Sequence, residues 1–424
     1  MNLLWRFSFG IISCCALSLF LWTSESSNAE ETEAPSEAQY DTMPALEMAE
    51  RALIDTLYYR FDEWFPRFKQ RIQQQESLPP TLANRLELMR FYFYMAGLYG
   101  ELTHALSFTE KYQLEDIRKD FLYYSGKAYD LAEELLDKES LSRADRADTY
   151  FYMGTSEGYM ALLEYGEGSL LSALVDGLSA DNHLEEALEL DPGHADAHVG
   201  LGVYRYGNTR IGGLGNFIMQ GGEDLRLVGL QHLETALEKE ILSRPLALKT
   251  LAWFYISEQI NPDNADLPDR DPLSRYATRS RALFLLDQYE RLYFTNVPGG
   301  FIGNKGLSMM KGIQYVIDRE YAKALNEFEK NLKICEALIR IHKFRLNPQY
   351  VDTVNAVIEF CKLMEAAGAG GNRLHRESCG PIQKQIEFIE SGGSVIQYQS
   401  SKIRGEIQNM FHRRLKQLAT RMNC

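Results

Sequence analysis

A chain of 424 residues in which 45% of side chains are hydrophobic and 25% are charged can bury a substantial core, so general disorder is excluded. Its formal net charge is −14 and its isoelectric point is near 5.2. A surface this acidic repels phosphate backbones, which argues against nucleic acid as a partner.

The first elements concern export. Arg6 precedes an uncharged apolar run from Phe7 to Trp22, and Ser27-Asn28-Ala29 puts small residues where a signal peptidase reads them. Residues 1–29 are therefore expected to be a signal peptide cleaved after Ala29, sending the chain to the periplasm or outer membrane, or out of the cell. Two other readings of the segment are an uncleaved membrane anchor and a lipoprotein signal around Ile11-Ile12-Ser13-Cys14. The apolar residues that continue past Cys14 count against lipidation. Residues 30–40 are acidic and carry Pro and Ser, as expected of a flexible lead-in.

From Thr42 onward helical periodicity dominates. Ala45, Met48, Ala49, Ala52, Leu53, Tyr58, Phe61 and Phe65 recur at steps of three and four, which predicts one long amphipathic helix that Pro66 kinks or ends. Internal similarity follows. His183-Leu184-Glu185-Glu186-Ala187-Leu188-Glu189 recurs as His232-Leu233-Glu234-Thr235-Ala236-Leu237-Glu238, and Phe93-Tyr94-Met95-Ala96 echoes Phe151-Tyr152-Met153-Gly154. Leu201-Gly202 follows an exit at Leu190-Asp191-Pro192-Gly193. Leu248, Leu251, Ala252 and Tyr255 then form a further first helix, and Gly312, Tyr315, Ala324 and Phe328 supply both helices of another unit. A small residue lets two helices approach closely while a large one fills the space beside it.

On these residues the chain resembles the tetratricopeptide-repeat superfamily over about residues 85 to 335. The runs Gly221-Gly222-Glu223-Asp224-Leu225 and Pro245-Leu246-Ala247-Leu248 are similar to exported bacterial repeat proteins. More distantly, they are similar to the eukaryotic repeat family linked to clearing protein inclusions. The resemblance implies an all-α, right-handed α-solenoid of helical hairpins over residues 41–366, each hairpin covering its neighbour's apolar face. Gly154, Gly202 and Ala252 lie roughly 50 residues apart against a standard unit of about 34. The connections between paired helices are thus enlarged, at Gly166–Asp181, Asn208–Glu223 and Asn261–Ser274.

Residues 367–424 break the pattern. After a Gly/Ala linker, nine Lys/Arg against four Glu give the tail about +5 and leave about −19 on the rest. Ile403, Ile407, Met410, Phe411, Leu415 and Leu418 form an amphipathic stripe, either a cap on the solenoid end or a docking helix for an acidic partner or a membrane surface. The four cysteines beyond the signal are Cys335, Cys361, Cys379 and Cys424. Pro348 lies near the midpoint of the first two, so a hairpin there would favour a Cys335–Cys361 bridge and leave Cys379–Cys424 as the second; the alternative is two buried free thiols acting as small apolar residues.

Chemistry-bearing motifs are sparse. His194 and His198 have zinc-compatible spacing but no intervening glutamate base, and the glycines around Gly212-Gly213-Leu214-Gly215 lack a following Gly-Lys-Ser/Thr. No catalytic set, metal site or cofactor is expected. Tyr204, Arg205, Tyr206, Asn208 and Arg210 combine two rings, two guanidiniums and an amide, a set suited to a peptide or a carboxylate. The leading expectation is a scaffold that binds a protein or peptide partner in the cell envelope. An accessory subunit of a solute-uptake system and a helical cell-wall enzyme are the alternatives.

Overall fold

The computed structural model describes residues 37–424 except 41, 168–169, 212–220, 240, 298, 369–378 and 397–400. The expected signal peptide, most of the lead-in, the Gly212–Gly215 run and most of the Gly/Ala linker lie outside the described residues. Within them the protein is all-α, and a lone bridge between Thr109 and Leu346 is its one extended pairing. No described helix is long and apolar enough to cross a membrane.

In chain order the helices are α1 (Glu37–Tyr40), α2 (Ala45–Leu57), α3 (Trp64–Glu76), α4 (Leu82–Ala105), α5 (Lys111–Lys138), α6 (Arg143–Glu167), α7 (Leu170–Leu190) and α8 (Ala195–Ile211). They continue with α9 (Arg226–Leu237), α10 (Arg244–Glu258), α11 (Arg275–Tyr293), α12 (Lys305–Ile317), α13 (Tyr321–His342), α14 (Pro348–Gly368), α15 (Cys379–Glu390) and α16 (Ser401–Met422). The chain divides into two compact units. The first comprises the described residues to Ser107, Tyr112–Leu251 and Asn296–Phe301; the second comprises Phe108–Lys111, Ala252–Thr295 and Ile302–Cys424.

The long first helix expected from periodicity is two helices. Tyr59 takes a left-handed φ of 62° and ends α2, and the Arg60 amide donates back to the Asp55 carbonyl at 2.7 Å. Pro66 sits in the first turn of α3, where a missing N–H costs nothing. The apolar face is as read: Ala45, Met48, Ala49, Ala52 and Leu53 are buried. Helix α4 carries Phe91, Phe93 and Tyr94, all fully buried, and packs on α2, α3 and α6. One ion pair is closed off in this apolar unit. Lys249 Nζ on α10 reaches both Glu101 carboxylate oxygens on α4, at 2.7 and 2.8 Å, with side chains only 9% and 5% exposed.

The first enlarged connection is largely helix, since α7 starts at Leu170. The third is irregular, apart from a single 3-10 turn at Pro262–Asn264.

In the second unit α12 packs on α13, α13 on α14, and α14 and α15 on α16. Tyr350 O–H donates to the Asn331 side-chain oxygen at 2.6 Å, while the Asn331 amide donates to the Lys305 carbonyl and the Ser308 hydroxyl. The amphipathic stripe of the tail is spent inside this unit. Ile403, Ile407, Met410, Phe411, Leu415 and Leu418 are all buried, and the Phe411 ring lies 4.4 Å from that of Phe360. Arg414 donates to the terminal carbonyls of Val316 and Ile317, capping α12 with a cation where its dipole favours one.

The cysteines pair differently from the expected order of preference. Cys379 and Cys424 are bonded, joining the start of α15 to the last residue, while Cys335 and Cys361 are free and fully buried. The reason is register. The Asn331–Tyr350 hydrogen bond and the Tyr321–Phe360 ring contact set how α13 lies against α14. On that register Cys361 faces the Tyr321 end of α13, roughly four helical turns from Cys335. Pro348 marks where α14 begins, not the axis of the hairpin. Burial pushes the Cys335 thiol up to about 11 and the Cys361 thiol up to about 12, which keeps both protonated and inert. The native mature chain should therefore give no reaction with an aromatic disulfide reagent, and two thiols should appear on denaturation. Rapid native labelling, or no thiol in denaturant, would contradict the assignment.

Candidate functional site

The internal repeat seen in the sequence is a repeat in space. Gly154 on α6 faces α7, and Gly202 on α8 faces α9. A Cβ on Gly154 would stand 3.0 Å from the Ala180 carbonyl and from His183 Cβ. On Gly202 it would stand 2.7 Å from Leu233 Cγ and 2.8 Å from the Gly229 carbonyl. In each pair a leucine at the equivalent place, Leu184 or Leu233, and the carbonyl four residues before it, Ala180 or Gly229, receive the glycine. Gly312 likewise faces Phe328, whose ring would lie 2.7 Å from an added Cβ. Leu201, Ala252, Ala324 and Phe328 are fully buried, whereas Tyr255 and Tyr315 are half-buried.

Around each glycine of the first two pairs the side chains build a polar seam. Four residues before it stands a ring, Tyr150 or His198; three residues after it stands a charge, Glu157 or Arg205. The Tyr150 ring stacks on His183 at 5.9 Å, and His198 lies against His232 at 5.0 Å. The two seams then diverge. In the α6–α7 seam, His183 Nδ1 meets the Glu157 carboxylate at 2.6 Å, and the Ser179 hydroxyl donates to the other oxygen of Glu157 at 2.7 Å. In the α8–α9 seam, His232 Nε2 meets Arg205 Nη1 at 3.2 Å and His232 Nδ1 meets His198 Nδ1 at 2.7 Å. His198 Nε2 in turn lies 3.3 Å from the Pro192 carbonyl.

The partners dictate the protons of the second seam. A carbonyl only accepts and a guanidinium only donates. His198 therefore donates from Nε2 to Pro192 and accepts at Nδ1 from His232, whose bare Nε2 accepts from Arg205. Both rings are neutral in this chain. Burial first, then the adjacent His198 and Arg205, bring His232 down to about 4, and burial also lowers His198. Arg205 additionally pairs with Glu185 and lies 3.5 Å from Asp181 on α7. Burial raises the Asp181 carboxyl against the pull of Arg205.

Of the five side chains expected to form one binding patch, the structure keeps three together. Tyr204, Arg205 and Asn208 are half-buried on the edge of α8 near Asp181 and Glu185. Tyr206 and Arg210 are core residues, 0% and 1% exposed. Positions two apart lie on opposite helix faces, so 206 and 210 turn inward. There a Cβ on Gly229 would stand 2.7 Å from the Tyr206 backbone nitrogen.

His194 and His198 do not face a common point. His194 stands just before α8, accepts the Ala197 amide at Nδ1 (3.2 Å) and directs Nε2 to Asp148 at 3.3 Å. Among the described residues no group of three His, Cys, Asp or Glu is placed to hold a metal ion.

The histidine seam was absent from the candidates drawn from sequence. Its signal was present, since overlaying the two repeats on Gly154 and Gly202 aligns His183 with His232, Tyr150 with His198 and Glu157 with Arg205. No protein-family model matches the chain, and no curated protein matches it.

Proposed function

We propose that the chain is an exported scaffold of the bacterial cell envelope, a right-handed solenoid of tetratricopeptide-like hairpins that holds a protein or peptide partner. The observation that carries this reading is the recurrence of one helix pair, with glycine, ring, charge and His-Leu at the same places in α6–α7 and α8–α9. Repetition of a packed unit builds an extended, pre-organised surface, which suits recognition of a chain-like partner. The α8 edge carrying Tyr204, Arg205 and Asn208, with Glu185 half exposed beside it, is the face on which such a partner would find both donors and acceptors. Export rests on the features of residues 1–29.

Two measurements test it. N-terminal sequencing of the protein from the envelope fraction should begin at Glu30; an intact Met1 on a chain confined to the cytoplasm would remove export. A cross-linked pull-down from envelope extract should recover a partner whose yield drops about tenfold in a folded Tyr204→Ala/Asn208→Ala variant, a change of about 1.4 kcal/mol. Undiminished yield would remove this face from the proposal.

A further inference from the structure

The two seams occupy equivalent places in consecutive helix pairs but carry opposite charges beside their histidines. We propose that the protein contains an acid response confined to one seam, in which lowering the pH loosens the α8–α9 pair and leaves the α6–α7 pair closed. This goes beyond partner binding and stands whether or not the α8 edge proves to be the recognition face.

The loosening follows from the hydrogen-bond chain. Arg205, His232, His198 and the Pro192 carbonyl use every ring nitrogen of both histidines, with one proton per ring. An added proton has no acceptor left. Placed on His232 Nε2, it points at the Arg205 guanidinium 3.2 Å away, donor against donor and cation against cation. Placed on His198 Nδ1, it forces His232 to accept at Nδ1 and to carry its own proton on Nε2, which again meets Arg205. Either way the contact between α8 and α9 breaks at Arg205, whose other partners, Glu185 and Asp181 on α7, remain available to it.

The remaining charges near the seam do not remove the conflict. Lys239 and His194 add to the positive field at His198, and Asp191, in the turn before α8, opposes them. Of the groups acting on His232, burial, His198 and Arg205 all disfavour its charge.

The contrast with the first seam follows from the partner of His183. His183 Nδ1 donates to the Glu157 carboxylate at 2.6 Å, an acceptor with no guanidinium set against it, so this seam lacks the conflict of the second. Glu157 is 5% exposed and also accepts from Ser179, so its carboxylate is held in place. Tyr129 lies in the field of the same carboxylate, together with Glu133 and Asp176, so the surroundings of this seam are acidic.

Hydrogen exchange measured on the full-length mature chain distinguishes the seams within one molecule. After correction for intrinsic exchange, protection in α9 should fall about tenfold or more between about pH 7 and pH 4.5, because each pH unit between unfolded and folded titration is a factor of ten. Protection in α7 should hold over the same range. Arg205→Glu gives the second seam the charge of the first and should abolish or reverse the loss in α9. His232→Gln, which cannot titrate, should make α9 insensitive to pH and serves if the charge swap does not fold. Equal loss of protection in α7 and α9, no loss in α9, or an unaltered loss in His232→Gln would each overturn the proposal.

Discussion

Replacing Lys249 by methionine should destabilise the first unit by about 3–5 kcal/mol, although the two side chains are close in length and bulk. The effect comes from what is left behind. Glu101 is buried on α4, its side chain 5% exposed, and both of its oxygens accept from Lys249 Nζ at 2.7 and 2.8 Å. Remove the ammonium and a carboxylate remains in surroundings that solvate it poorly. The chain must then bind a proton there, admit water or shift α10. Glu101→Leu should cost a similar amount for the mirror-image reason. The double variant Glu101→Leu/Lys249→Met should recover most of the loss, because two apolar side chains of matching volume need neither partner nor hydration. Denaturant unfolding of the four proteins gives the coupling as a double-mutant cycle. Single variants that lose less than about 1 kcal/mol, the range of a solvated surface pair, would mean that water reaches the site.

That pair joins helices 148 residues apart in the chain, and no local pattern announces it. Glu101 and Lys249 each sit in long apolar helices where one charge reads as an exposed interruption. Legibility followed range throughout. The helices were legible because a 3.6-residue period needs only neighbours along the chain, and the close-approach glycines were legible because the unit is written twice. The break after α2 was not, since a left-handed Tyr59 has no compositional mark.

The five candidate binding residues divide on a simpler ground. Tyr204 to Arg210 were grouped by chemistry, whereas the helix separates them by angle, with 204 and 208 on one face and 206 and 210 on the other. The tail stripe was legible as amphipathic, but what it covers depended on α12 and α14, far away in sequence. The histidine seam lies between these cases: invisible in either repeat alone, and readable once one is laid over the other.

The glycines give the repeat its sharpest test, because local propensity and packing predict opposite signs. Gly→Ala in the middle of a helix ordinarily stabilises by about 0.5–1 kcal/mol, since it restricts the unfolded chain. Gly126 on α5 has no atom within 4 Å of where a Cβ would go, so Gly126→Ala should show that gain. Gly202→Ala meets Leu233 Cγ at 2.7 Å, the Gly229 carbonyl at 2.8 Å and the Leu233 amide nitrogen at 3.1 Å. Two of these three are backbone of α9, which cannot rotate away as a side-chain tip can. Overpacking of this kind costs about 1–3 kcal/mol, and more when helices must separate, so the net change should be a loss of at least about 1 kcal/mol. Gly202→Val should roughly double it, through further bulk and the stiffer χ1 of a branched side chain. Gly154→Ala, with its nearest contacts at 3.0 Å, should fall between the extremes. Thermal unfolding of the four variants ranks them directly. If Gly202→Ala proves as stabilising as Gly126→Ala, then α8 and α9 do not pass at the distance described, and the equivalence of the two helix pairs loses its physical basis.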